Sequence, residues 1–245
     1  MTDTNPKTPH TLAPNWKCVI LVPVGTAIDQ ECDAALRTLE RRNYVVRRRH
    51  GFSAIDQARS TMATEALDDG FRELMWIDAD SRFNPDDVDQ LRALDLPVVG
   101  GVYPKRGARA LTLEPLPGVK ELLFGVEGSV QEVLFCGCGF LYTRAEVYRD
   151  IIEKLDLPAS NQRYKRSVYP FFLPMVVPDP EFAADAHLYL CEDYAFEERA
   201  RQSGHHIHVD TRLRIGHVGT YGYTWEEAGG LMSRHPRYRF VFGDR

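Results

Sequence analysis

The stretch from Cys18 to Ile77 alternates short apolar runs with helical periodicity, and this alternation constrains the fold more than any other feature of the chain. CVILVPV, from Cys18 to Val24, is a continuous apolar run with β-branched residues, as expected of a strand covered on both faces. Pro23 and Gly25 end it. Residues 28 to 41 read as a helix, with Ala35, Leu36 and Leu39 supplying part of its apolar face. Tyr44 to Arg47 reads as a short strand. Ala54 to Asp69 reads as a helix with Ile55, Ala58, Met62 and Ala66 on one stripe, stopped by Gly70. Glu73 to Ile77 is a third buried strand and runs into Asp78-Ala79-Asp80. Strand, helix, strand, helix, strand within about sixty residues predicts right-handed βαβ units. The expected class is α/β, with a mostly parallel, Rossmann-like central sheet and helices on both faces.

Further along, Asn84 reads as an N-cap with Pro85 at the first helical position and Asp86 and Asp87 in the first turn. Pro97 to Val102 reads as another strand. Beyond it the character changes. Leu122 and the run Val130 to Phe135 flank Gly125 and Gly128 and suggest an antiparallel hairpin in a smaller, antiparallel region. Cys136-Gly137-Cys138-Gly139-Phe140 leads into a helix from about Arg144 to Leu155. Residues 157–187 hold five prolines around the aromatic run YPFFLPMVV, a composition that suits a substrate-facing, lid-like loop. Tyr169, Phe171, Phe172 and Met175 would then form its apolar patch. Asp193 to Ser203 reads as a helix capped by Gly204. Strands around Ile207 to Val209 and Arg212 to His217 follow.

Composition narrows the class. With 245 residues, 44% hydrophobic and 27% charged, the chain matches an ordinary globular protein and excludes disordered and collagen-like readings. A net charge of -5 argues against a protein that coats nucleic acid, although Arg47, Arg48, Arg49 and Arg234, Arg237, Arg239 leave local anion sites open. Five cysteines without a C-x-x-C pair fit packed free thiols in a reducing compartment. The first residues lack the apolar core of a signal peptide, and no apolar run is long enough to cross a bilayer, so a cytoplasmic protein is expected. Residues 1–15 read as a loose tail and 16–245 as one domain, divided into halves at 16–103 and 104–245.

Three places can carry chemistry. Asp78 and Asp80 form a D-x-D pair leaving the end of a buried parallel strand, where open α/β sheets bind ligands. Such a pair suits Mg²⁺ or Mn²⁺ with diphosphate oxygens, and it also recurs by chance in acidic chains. Glu192 and Asp193 open a helix, with Asp193 on the face of Phe196 and Ala200. Asp193 suits either a helix cap or a general base. His217 ends an apolar face formed with Leu213 and Ile215, as a satisfied core residue or a metal ligand. The run His205-His206-x-His208 spans a helix end and a strand start, so its side chains diverge and it reads as non-ligating.

The order of these pieces resembles the GT-A fold nucleotide-sugar glycosyltransferases, nearest the bacterial and phage family-2-like branch and more distantly the fungal Anp1-type mannosyltransferases. The motifs that carry the resemblance are Pro23-Val24-Gly25, Arg59, LMWIDADSRFNPDDV, VVGGVYPKR, CGCGFLYTR, LCEDYAFEERARQSG and IGHVGTYGY, from about Val19 to Tyr223. The resemblance implies a UDP- or GDP-sugar donor, Mn²⁺ or Mg²⁺, and a hydroxyl acceptor such as a glycan, lipid-linked sugar, protein or modified nucleobase. It implies that Asp80 is the direct metal ligand, with Asp78 nearer the ribose or a metal-bound water, and that His217 is a further ligand. Asp193 would be the base of an inverting transfer, with Glu192 beside it. Pro23, Val24 and Gly25 would shape the nucleotide pocket, Arg59 would touch base or phosphate, and Gly137 and Gly139 would lie under the transferred sugar. Two other readings use the same residues: a metal-dependent nucleotidyltransferase or phosphatase, and a non-enzymatic sugar-nucleotide or glycan-binding module.

Overall fold

The computed structural model describes residues 13–105, 110–179, 182–219 and 237–241. Its elements in chain order begin with β1 (Cys18–Val24), α1 (Gln30–Arg41), β2 (Val45–His50), α2 (Ile55–Asp68) and β3 (Glu73–Ile77). Next come β4 (Ser81–Arg82), α3 (Pro85–Ala93), β5 (Val98–Gly100), β6 (Leu113–Pro115), β7 (Glu121–Gly125), β8 (Val130–Cys136), β9 (Phe140–Arg144) and α4 (Ala145–Lys154). The remainder are β10 (Met175–Pro178), β11 (His187–Leu190), α5 (Glu192–Gln202), β12 (Ile207–Asp210), β13 (Gly216–His217) and β14 (Arg237–Val241).

An eight-stranded sheet forms the centre, in the order β2-β1-β3-β9-β5-β12-β8-β6. Strands β1, β2, β3, β5, β12 and β6 run one way, and only β9 and β8 run against them. The apolar run of β1 is continuous because both of its faces are covered. Val19 and Leu21 join a core with Met62 of α2, Tyr148 of α4 and Phe196 of α5. Ile20, Val22 and Val24 join a second core with Leu36 of α1 and Leu91 of α3. Local signals set the helix starts: Asn84 accepts from the Asp86 N–H and forms a reciprocal capping box with Asp87. Gly70 adopts φ 79°, the left-handed conformation that stops α2.

Several expectations are corrected. The stretches around Gly125 and Gly128 do not form a hairpin: β7 pairs with β14, and β8 pairs with β12 and β6. Gly128 lies against the Thr211 peptide, where a side chain would overlap backbone atoms, and its N–H donates to the Gly125 carbonyl at 2.9 Å. Arg212 to Ile215 is not a strand, because Arg212 folds back onto Asp210 through two bonds of 2.8 and 2.7 Å. Phe171 and Phe172 do not belong to a lid. They are fully buried, with Phe172 stacked on Phe196 at 4.6 Å and edge-on to Trp76 at 5.1 Å. Backbone N–H groups of Tyr169 and Phe172 donate to Thr64 and Ser60 of α2, which fixes this run as core.

The Arg47, Arg48 and Arg49 cluster is paired with Asp69, Glu40 and Glu65 and offers no open anion site. Cys18, Cys32, Cys136 and Cys138 are buried free thiols, as expected, while Cys191 is exposed. Of the expected tail only residues 13–15 are described, and Arg92 binds the Ala13 carbonyl and the Asn15 side chain. Arg234 and residues 220–223 lie outside the described residues. Among the described residues no helix is long and apolar enough to cross a membrane.

Candidate active site

The carboxyl end of β3 carries the D-x-D pair, and its neighbours hold it there. The Asp78 N–H donates to the Gly139 carbonyl, which also accepts from the Ser81 hydroxyl at 2.9 Å. The chain then reverses into β4, whose Ser81 is the cross-strand partner of His217 in β13. This antiparallel pairing brings His217 beside Asp80, with His217 Nε2 at 3.4 Å from Asp80 Oδ1. The other ring nitrogen, Nδ1, lies 3.0 Å from the Pro104 carbonyl. A carbonyl only accepts, so Nδ1 is the donor in that contact, and Nε2 faces the Asp80 carboxylate.

Asp78 has a different partner. Its Oδ1 accepts from Arg59 Nη2 at 2.6 Å. Arg59 projects from α2 over the Trp76 ring and is only 3% exposed. Its Nε lies 3.9 Å from Glu192 Oε1, and both Nε and Nη1 lack a hydrogen-bond partner. Unpaired buried donors are costly, so a guanidinium with two of them at a cleft is a ready contact for ligand oxygens.

That cleft encloses about 300 Å³ and is lined by Pro23, Gly25, Phe52, Ile55, Arg59, Asp78, Asp80 and Glu192, among others. Val24, between Pro23 and Gly25, is buried in the core beneath it. A side chain added at Gly25 would meet no atom within 4 Å, so packing does not demand a glycine there. Its absence keeps the cleft open. A larger depression of about 490 Å³ lies at the opposite end of β3, lined by Arg72, Glu73, Arg144 and Arg149. It holds neither the D-x-D pair nor a facing histidine, so the smaller cleft is the candidate site.

Glu192 and Asp193 occupy the first turn of α5, whose N-cap is Cys191, so Asp193 is not a cap. Asp193 Oδ1 accepts from the Tyr194 N–H at 2.8 Å. Burial raises the pKa of both carboxyls; the neighbouring Asp193 charge adds to the effect at Glu192, while Arg59 opposes it at both. Glu192 lines the cleft, and Asp193 is its neighbour in the first turn of α5. Gly137 and Gly139 do not line the cleft. A side chain on either would overlap the Tyr103 hydroxyl, so both glycines make room for Tyr103. Sequence reasoning missed Tyr103, Phe52 and Ile55. For Tyr103 and Phe52 the only signal was an aromatic residue in a loop, at Tyr103-Pro104 and Gly51-Phe52, and Ile55 reads only as part of the apolar stripe of α2.

Among the described residues no group of three His, Cys, Asp or Glu side chains converges into a metal site. Asp78 is held by Arg59, while Asp80 lies beside His217.

The fold these elements define is a GT-A-like α/β fold, and one solved structure is similar to it over most of its length. A197 from STIV superposes with a TM-score of 0.53 at 15% identity, over 83% of this chain and 86% of that one. GalNAc-T7 with UDP, GalNAc and Mn²⁺ gives 0.45 at 10% identity, over 82% of this chain and 43% of that one. S. aureus TarS 1-349 in complex with UDP-GlcNAc gives 0.41 at 12% identity, over 86% and 61%. The chain spans less than two thirds of the length of these last two. No protein-family model matches the chain, and no curated protein matches it. The likeness to A197 covers nearly the whole of both chains and shows the fold alone.

Proposed function

We propose that this protein is a metal-dependent glycosyltransferase that moves a sugar from a UDP- or GDP-sugar to a hydroxyl acceptor. The observation that carries this reading is the Asp80–His217 pair at the end of β3, beside a cleft into which Arg59 brings unpartnered donors. A carboxylate with an imidazole whose other nitrogen donates to a backbone carbonyl is a metal-ready pair. The nitrogen ligand favours Mn²⁺ over the harder Mg²⁺. Asp80 and His217 would hold the cation, which when bound neutralises the diphosphate leaving group.

The protein's own residues do the rest. Pro23, Gly25 and Phe52 bound the space for the nucleoside, in a nucleotide-binding half formed by residues 16–103. Arg59 offers Nε and Nη1 to phosphate or ribose oxygens while its Nη2 holds Asp78 in place. Asp193, on α5 in the acceptor half, takes the proton from the attacking hydroxyl in an inverting transfer, with Glu192 as the alternative base. A carboxyl with a raised pKa suits that task, since it binds the proton more tightly than an exposed one.

A thermal-shift panel of UDP, GDP and their sugars, with and without Mn²⁺, tests the donor site. A nucleotide at 100 times its dissociation constant stabilises the fold by about 2.7 kcal/mol. The gain should require Mn²⁺ and vanish in Asp80→Ala and His217→Ala. Equal stabilisation in excess chelator would remove the metal from the reading. Release of nucleoside diphosphate that depends on acceptor separates transfer from a nucleotidyltransferase, a phosphatase or a binding module.

A further inference from the structure

Tyr103 is the residue where the separate parts of the site meet, and nothing in the motif pattern assigns it a role. It follows β5, is 5% exposed, and has two distinct contacts. Its hydroxyl accepts from the Gly139 N–H at 2.7 Å. Its ring packs edge-on against the His217 ring, with centroids 5.4 Å apart and planes at 82°. The next residue, Pro104, supplies the carbonyl that accepts a hydrogen bond from His217 Nδ1.

Gly139 in turn accepts from the Asp78 N–H and the Ser81 hydroxyl, and Ser81 is the cross-strand partner of His217. The contacts therefore close a ring: Tyr103 to Gly139, Gly139 to Asp78 and Ser81, Ser81 to His217, and His217 back to Tyr103. The absent side chains at Gly137 and Gly139 are what let the phenol sit this close. A ring of contacts of this kind fixes the relative placement of its members, because no one of them moves without breaking a buried hydrogen bond or an aromatic contact.

We infer that Tyr103 is a positioning residue that locks His217 and the D-x-D turn into one unit, the hydroxyl holding Gly139 and the ring holding the His217 imidazole. Its functional meaning rests on the donor-site reading given above. Its physical claim does not, and the experiment separates the two.

Long-range nitrogen–proton correlations of the His217 ring are recorded in the metal-free full-length protein and assigned by their loss in His217→Ala. The wild type should show one tautomer, with the proton on Nδ1. Tyr103→Phe keeps the ring, so it should keep that tautomer, but amide exchange at Gly139 should rise by about tenfold or more once its acceptor is gone. Tyr103→Leu should give a tautomer-averaged pattern. With Mn²⁺ and UDP as probes, it should also bind roughly 10–100-fold more weakly, as outer partners of metal-ligating histidines do.

A folded Tyr103→Leu protein that keeps the single tautomer overturns the inference. So does a Tyr103→Phe protein whose Gly139 amide exchanges at the wild-type rate, and this arm stands even where the leucine variant fails to fold. If the wild type binds neither UDP nor GDP with Mn²⁺, the donor reading falls, while the tautomer and exchange results still decide the role of Tyr103.

Discussion

Asp193 is the residue on which the proposed chemistry turns, and its place in α5 makes its role separable from stability. Cys191 holds the N-cap position, so Asp193 contributes no cap, and its carboxylate accepts one local backbone bond. Asparagine can accept that bond equally well. Asp193→Asn should therefore leave melting temperature and nucleotide-sugar binding near wild type while lowering transfer by roughly 10²–10⁴-fold. Steady-state transfer assays alongside a donor titration check this. A variant that transfers at nearly the wild-type rate moves the base to Glu192, which lines the cleft, or points to retention of configuration. The acid limb of the rate profile should lie above the ordinary carboxylate range, because the base must be ionised and burial raises its pKa.

At the scale of elements, α5 is fastened to β8 by Glu197, a fully buried carboxyl that accepts from the Cys136 N–H at 2.7 Å and pairs with the Cys136 thiol at 3.0 Å. Burial raises its pKa well above the ordinary 4.5, and the Cys136 bonds only partly offset this. A carboxyl whose folded pKa is raised contributes stability that is fully present below the unfolded pKa and lost as pH rises through the folded value. Glu197→Gln keeps an acceptor for Cys136 and cannot ionise. Denaturant titrations across pH should therefore show wild type losing ground to the variant as pH rises from about 4 upward. A difference that stays flat would mean Glu197 titrates normally.

The elements also show what sequence can carry. The helices were legible because their ends are set locally, by Asn84 and Pro85 at one start and Gly70 at one stop. Strands β1 and β3 were legible because burial on both faces leaves a nearly uninterrupted apolar run. The partner of β7 was not, since β14 lies far along the chain and nothing near Gly125 specifies it. Phe171 and Phe172 look alike as core or as lid until Ser60 and Thr64 are known to face them. In the site, the D-x-D pair and His217 could be singled out by residue type. Tyr103 could not, because an aromatic in a loop has no pattern until its neighbours are placed.

Across the whole molecule, the antiparallel β9 between β3 and β5 is what completes the site. Its first residues start where β3 ends, so the Gly137–Gly139 turn reaches the D-x-D pair directly. The opposite end of the sheet is held by Arg92, 1% exposed, which binds Glu73, Tyr44, Asn15 and the Ala13 carbonyl. Removing one member of a buried pair strands the other charge. Arg92→Met should cost about 3–5 kcal/mol, and adding Glu73→Leu should recover much of that loss. Equilibrium unfolding of the single and double variants checks it, and a double variant no better than Arg92→Met would show that the hub acts through packing rather than charge.

The clamp on His217 has a further consequence for how the protein is made. Pro104 and His217, which face each other in the site, are 113 positions apart in the chain. At ordinary elongation speeds a ribosome takes roughly 6–23 s to cover that interval. Throughout it the nascent chain carries the D-x-D turn without the histidine that packs beside it, so the synthesis of this protein passes through a stage in which only half of the candidate site has been made.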